Sequence, residues 1–182
     1  AGGIPGSIGG GLFMNAGAYG GEMSQIVKCA KVLSPDGAAE VEIEAAQMLL
    51  SYRNSIFQKT GQIILEAQFC LQPDDKTKIG ERMREFTARR NEKQPVNLPS
   101  AGSFFKRPKG YFAGKLIEDA GLRGLSLGGA QISPLHAGFI VNNGGATAAD
   151  IINLMEIVQH TVYDRFGVQL LPEVRIIGEQ EY

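Results

Sequence analysis

The sequence predicts an α+β protein, on three observations. β-Branched segments joined by turn residues lie near the start, a long amphipathic helix lies near the end, and strands and helices do not alternate strictly. Gln25–Leu33 (QIVKCAKVL) reads as a strand. Ser34-Pro35-Asp36-Gly37 turns it, because proline presets φ and Asp-Gly accepts the positive φ of a hairpin. Ala38–Ile43 is then its antiparallel partner. Ala45–Leu50 suits one or two helical turns, and Gly61–Leu71 reads as a further strand. Residues 1–72 make a first unit with a sheet as its base.

Pro73-Asp74-Asp75 opens a helix, with acids where the N-terminal dipole favours them. Ile79, Met83 and Phe86 form one apolar stripe, and Lys76, Arg82, Arg84, Arg89, Arg90 and Lys93 load the remainder. A basic face of this kind can bind nucleic acid, but the interleaved Glu81, Glu85 and Glu92 favour a solvated face. Gln94-Pro95 ends the helix, and residues 73–100 are helix and connector. The second unit covers residues 101–182. Tyr111–Ala120 reads as a short helix stopped by Gly121, and Gly129–Ile132 and Ala137–Val141 as strands. Thr147 caps a long helix, Ala148–Phe166, with Ile151, Leu154, Met155, Val158 and Val162 on its buried face and Gly167 closing it. Val168–Leu171 and Val174–Ile177 read as short final strands.

Composition narrows the function. The 182 residues are 43% hydrophobic and 20% charged, with a net charge of −1, so no global field favours nucleic acid or an anionic membrane. No apolar run approaches the roughly 20 residues that span a bilayer. Cys29 and Cys70 have no metal spacing; a disulfide stays open, and a reduced cytoplasmic protein is the simpler reading. No Cys/His cluster suggests a metal.

The opening AGGIPGSIGGGLFMNAGAYGGE holds nine glycines in 22 residues. Glycine loses the most backbone entropy on folding, so such density suggests backbone passing close to something else. Bare N–H groups can hold phosphate oxygens. Neither a Walker A loop nor G-x-G-x-x-G is present. A flexible arm is the alternative, and the apolar insertions Ile4, Ile8, Leu12, Phe13 and Met14 argue against it.

GIPGSIGGG followed by MNAGAYGGE resembles the second half of the flavin-binding region of the UDP-N-acetylenolpyruvoylglucosamine reductase (MurB) family. SYRNSIF (Ser51–Phe57), GSFFKRP (Gly102–Pro108), AGKLIE (Ala113–Glu118), HAGFIVN (His136–Asn142) and PEVR (Pro172–Arg175) resemble family motifs in family order. The resemblance covers essentially the whole chain. It implies the C-terminal part of a flavin-binding α+β unit followed by a smaller α+β substrate-binding domain. It also implies an oxidoreductase that makes UDP-N-acetylmuramate for bacterial peptidoglycan from UDP-N-acetylglucosamine enolpyruvate, using FAD and NADPH. Family members carry an N-terminal flavin-binding subdomain before this region, and the chain, starting at Ala1, resembles the C-terminal two-thirds. The expectation is little or no activity by this polypeptide alone.

Taken alone, Ser103 reads as a turn or cap serine, Arg53 as a surface or helix-capping arginine, and Glu173 as an exposed strand-edge acid. The resemblance implies catalytic roles for all three. Ser103 protonates the carbon next to the carboxylate after hydride arrives, and Lys106 is a stabiliser for its alkoxide. Arg53 binds the enolpyruvyl carboxylate as a fork. Glu173, if burial raises its pKa, donates a hydrogen bond to the same group. Tyr52, Lys106, Arg107 and Gln131 are implied contacts to the UDP-sugar. Many members have Asn where Arg107 stands, and the chain fits the shorter subgroup without a tyrosine-bearing loop. Ile4, Pro5, Gly6, Ser7, Gly9, Gly10, Asn15 and Gly17 are implied to lie against the flavin and its diphosphate. Two rivals remain: another FAD-dependent oxidoreductase of similar fold, and a truncated UDP-sugar-binding module.

Overall fold

A serine hydroxyl starts the first element of the computed structural model, which describes residues 3–178. Ser7 Oγ accepts from Gly10 N at 3.0 Å and caps α1 (Ile8–Phe13), a short helix with three consecutive glycines. Each such glycine costs roughly 0.5–1 kcal/mol against alanine. Burial of Leu12, which is fully enclosed, holds the turn together where local propensity opposes it. The segment that reads as irregular Gly-rich backbone is therefore partly helical.

Strands β1 (Gly17–Ala18) and β2 (Gly21–Glu22) form a tight hairpin through Tyr19 (φ 53) and Gly20 (φ 82). Two positive φ values in succession match the twist of a hairpin. A Cβ on Gly17 would sit 2.5 Å from Gly21 O and 2.7 Å from Glu22 Cγ, so only glycine fits there. Next, β3 (Val27–Leu33) pairs antiparallel with β4 (Glu40–Glu44) and β5 (Ile63–Phe69), in the order β4-β3-β5. Ala30 and Val32 turn to a core completed by Leu12, Met48 and Phe57. Ala45–Met48 is a 3-10 turn, and α2 (Phe57–Thr60) follows the Ser51–Asn54 turn.

Helix α3 (Lys76–Lys93) begins after Asp75, whose Oδ1 accepts from the N–H groups of Thr77 and Lys78. None of its residues is buried, so the stripe of Ile79, Met83 and Phe86 does not enter a core. Phe86 stacks on Tyr19, with ring centroids 5.1 Å apart. The chain divides into two units, Ala1–Thr87 and Ala88–Tyr182, and the division falls inside α3.

In the second unit β6 (Ser100–Ser103), β7 (Ser126–Leu127), β8 (Ala130–Ile132) and β9 (Phe139–Asn142) form an antiparallel sheet in the order β6-β9-β8-β7. Helices α4 (Ala113–Asp119) and α5 (Ala148–Phe166) bury Leu116, Ile117, Leu154, Met155, Val158 and Val162 with Phe104, Phe105, Ile132 and Ile140. The α5 limits are those its periodicity predicts. The two final strands are not formed: among the described residues beyond Gly167, only one bridge, Phe105 to Pro172, joins the segment to its neighbour. Pro172 has no N–H to extend a ladder.

The cap of α5 leads to a stability test. Asp150 N donates to Thr147 Oγ1 at 3.1 Å, and Thr147 N donates to Asp150 Oδ2 at 2.9 Å. Thr147→Ala is expected to lower stability by about 1 kcal/mol, read from the urea midpoint. The Asp150 carboxyl is held below its usual range by Thr147, through its N–H and then its hydroxyl, and by the N–H of Gly129. That stabilisation is full above the ordinary aspartate pKa and is lost as pH falls through the depressed one. Asp150→Asn is expected to remove this acid-limb loss.

Candidate functional site

Ser103 ends β6 beside a bulge. Ser100 faces Val141 and Ser103 faces Phe139, so β6 spends one more residue than β9 over the same span. Gly102 takes φ +87 there, and Ser100 Oγ accepts from Gly102 N at 3.2 Å while donating to Ile140 O at 2.8 Å. A bulge re-aims the side chain that follows it. Phe104 and Phe105 are buried behind Ser103, which anchors the half-buried hydroxyl. Its Oγ lies 3.4 Å from Phe105 O, a long contact.

The PEVR segment runs along the same stretch. Glu173 N donates to Phe104 O and Lys106 N donates to Leu171 O, each at 2.8 Å. The structure therefore brings Ser103, Lys106 and the half-buried Glu173 together on paired backbone. Arg107 lies over the Phe112 ring, 3.9 Å from its centroid. Gln131 is half-buried on β8 and donates to Gly124 O at 3.2 Å.

One neighbour of Ser103 was not singled out from sequence. His136 Nδ1 accepts from Gly138 N at 3.0 Å, so the neutral ring carries its proton on Nε2. Burial lowers its pKa. A Cβ on Gly138 would lie 2.9 Å from His136 Cε1 and 3.6 Å from Ser103 Oγ, and one on Gly114 would lie 3.1 Å from His136 Cε1. Two bare glycines make room for the imidazole, and one of them, Gly138, also borders the Ser103 hydroxyl. The signal lay in the HAGF and AGK motifs, but their meeting is a tertiary fact.

Arg53 and Tyr52 belong to the first unit. They occupy the centre of a turn closed by Ser51 N to Asn54 O (3.1 Å) and Asn54 N to Ser51 O (3.0 Å). Arg53 is half-buried at φ 52, and its guanidinium carbon lies 5.1 Å from the Tyr52 ring centroid. Asn15 is 1% exposed. Ile4 and Gly9 are half-buried, whereas Pro5, Gly6, Ser7 and Gly10 are exposed. Among the described residues no group of three His, Cys, Asp or Glu side chains gathers as a metal site. No described helix is long and apolar enough to cross a membrane.

An α+β unit with a serine on a bulge and a glutamate paired beside it has known counterparts. Residues 94–177 match the family model of the UDP-N-acetylenolpyruvoylglucosamine reductase C-terminal domain. Reductases of that name from Clostridium botulinum (strain Alaska E43 / Type E3) and Alkaliphilus oremlandii are 54% and 53% identical over 97% and 99% of the chain. The chain covers 58% and 59% of those relatives. The crystal structure of UDP-N-acetylenolpyruvylglucosamine reductase from Thermus caldophilus aligns with a TM-score of 0.79 at 35% identity, over 92% of this chain and 60% of that one. The chain is similar to UDP-N-acetylenolpyruvoylglucosamine reductases along nearly its whole length and spans somewhat under two thirds of theirs.

Proposed function

We propose that the chain is the substrate-handling part of a UDP-N-acetylenolpyruvoylglucosamine reductase, which forms UDP-N-acetylmuramate for peptidoglycan in the cytoplasm. The observation that carries this reading is 54% identity to a reductase of that name along 97% of the chain. FAD fits the opening segment on one structural ground: exposed backbone at Pro5–Ser7 and Gly10, with nothing within 4 Å of where a Cβ on Gly6 would sit. Ile4 to Gly10 and Gly17 would hold it. When bound, it supplies hydride, drawn from NADPH, to the terminal vinyl carbon of the enolpyruvyl ether.

The chain's own residues do the rest. Arg53 grips the substrate carboxylate as a fork, and Glu173, when protonated, donates a hydrogen bond to it. Together they stabilise the enolate-like charge that develops. The Ser103 hydroxyl gives its proton to the carbon beside the carboxylate. Lys106, fixed by its backbone bond to Leu171, steadies the alkoxide left behind. Tyr52, Arg107 and Gln131 contact the UDP-sugar.

The test is NADPH oxidation with FAD present, on the 182-residue chain and on a form extended to its relatives' length. The extended form is expected to turn over with UDP-N-acetylglucosamine enolpyruvate and not with unrelated enoyl acceptors. The 182-residue chain is expected to lose its flavin absorbance on desalting and to show little turnover. An extended form that oxidised NADPH only with other acceptors would identify a different flavin oxidoreductase.

A further inference from the structure

Asn15 is buried, and each polar atom of its side chain is engaged. Nδ2 donates to Glu22 Oε2 at 3.0 Å and to Ser51 O at 3.2 Å, and Oδ1 accepts from Ser24 N at 2.9 Å. One amide thus ties the end of α1 to the β2 strand, to the 3-10 turn at Met23–Gln25 and to the first residue of the Arg53 turn. The same turn is held from its far side. Gln58 Nε2 donates to Arg53 O at 3.2 Å and to Phe13 O at 2.9 Å, and Ser55 Oγ donates to Phe13 O at 2.7 Å. Residues 13–15 are therefore the post against which the Arg53 turn is braced.

Backbone strain is concentrated at this contact. The non-glycine residues with positive φ, among those described, are Asn15 (44°), Tyr19 (53°), Leu49 (48°) and Arg53 (52°). Two lie in each of the two segments that Asn15 joins. Asparagine accepts this region readily; arginine, leucine and tyrosine do not. Such conformations persist only where the surroundings over-determine them, and they mark places where a side chain must be aimed.

We infer that Asn15 is a positioning residue, which sets the direction of Arg53 through Ser51 rather than through its own contact with the flavin. The inference rests on the reading of Arg53 as the carboxylate grip. It explains why an asparagine stands here: the site needs two donors, one acceptor and tolerance of φ 44° in one small side chain.

The test is calorimetric binding to the flavin-loaded form extended to its relatives' length. UDP-N-acetylglucosamine enolpyruvate is compared with UDP-N-acetylglucosamine, which lacks the carboxylate. Asn15→Asp keeps the size and the backbone tolerance, removes both donors and sets a second carboxylate beside Glu22. It is expected to weaken the enolpyruvate about tenfold and to weaken UDP-N-acetylglucosamine, which this turn meets only through Tyr52, by a clearly smaller factor. Added to Arg53→Ala it is expected to cost nothing further. Equal loss for both ligands, no loss, or full additivity with Arg53→Ala would overturn the inference. A parent protein that binds both ligands equally would instead overturn the Arg53 reading, and the inference with it. If Asn15→Asp does not fold, Gln58→Met removes the brace on the other side, and the same selective loss is expected; its absence overturns the inference.

Discussion

Ser103→Ala in the flavin-loaded reductase is expected to lower kcat by about 10²- to 10⁴-fold, the range for loss of a positioned proton donor. KM for the enolpyruvyl substrate is expected to stay within a few fold, because the hydroxyl acts when charge develops rather than in binding. Oxidation of NADPH in the first half-reaction is expected to be unchanged in stopped-flow traces. The fold should tolerate the change: the side chain is half-buried, and its one hydrogen bond, to Phe105 O, is long at 3.4 Å. The bulge at Gly102 and the paired backbone of Phe104 and Glu173 stay in place. A variant within fivefold of the parent would assign the proton to another group. His136, with its proton on Nε2 and its ring against Gly138, is then the next to replace.

Gly129→Ala carries the largest expected effect on stability. The new Cβ would lie 2.3 Å from Ala146 N, 2.4 Å from Gly144 O and 2.7 Å from Ala146 Cα. All three are backbone atoms of the loop that delivers Thr147 to its capping position. None can swing aside as a side chain would, so the loop must move. Its movement would disturb the Asn143 N to Gly129 O bond of 2.9 Å and the capping box of α5. The expected loss is about 3 kcal/mol, at the upper end for overpacking. For a unit of this size that lowers Tm by roughly 10–25 °C in calorimetry. Gly110→Ala is the control. Unlike Gly129 it has a positive φ (+80), but nothing lies within 4 Å of its Cβ, and it is expected to cost about 1 kcal/mol. A loss at Gly129 no larger than that at Gly110 would mean that the loop gives way to the new methyl and that close approach does not decide the tolerance of Gly129.

Much of the fold was legible where a local rule and the tertiary environment agree. Helix α5 has the limits its periodicity predicts, because a threonine cap, a full apolar face and a closing glycine act within one stretch of chain. Strands β3, β4 and β5 were legible for the same reason, with ends displaced by two residues or fewer. The errors fall where neighbours decide. Val168–Leu171 and Val174–Ile177 have strand-like composition, yet only the bridge at Pro172 finds a partner. Ile79, Met83 and Phe86 form one stripe as their spacing predicts, but spacing does not say whether it is covered: a stripe is buried only if another surface meets it, and this helix buries no residue. Ile8–Phe13 is helical against its three glycines because Leu12 is enclosed.

Residue order alone determined the fold class, the long capped helix and, through its motifs, the family resemblance and the candidates Arg53, Ser103 and Glu173. These follow from chemistry contained in short segments. Only the tertiary structure set Glu173 beside Phe104, aimed Ser103 with a bulge, packed His136 against Gly114 and Gly138, and spent the Asn15 amide on the Arg53 turn. Each of these joins residues more than 20 positions apart or depends on a pairing register. Such contacts depend on which surfaces meet once the core has closed, and no local pattern of residues encodes that.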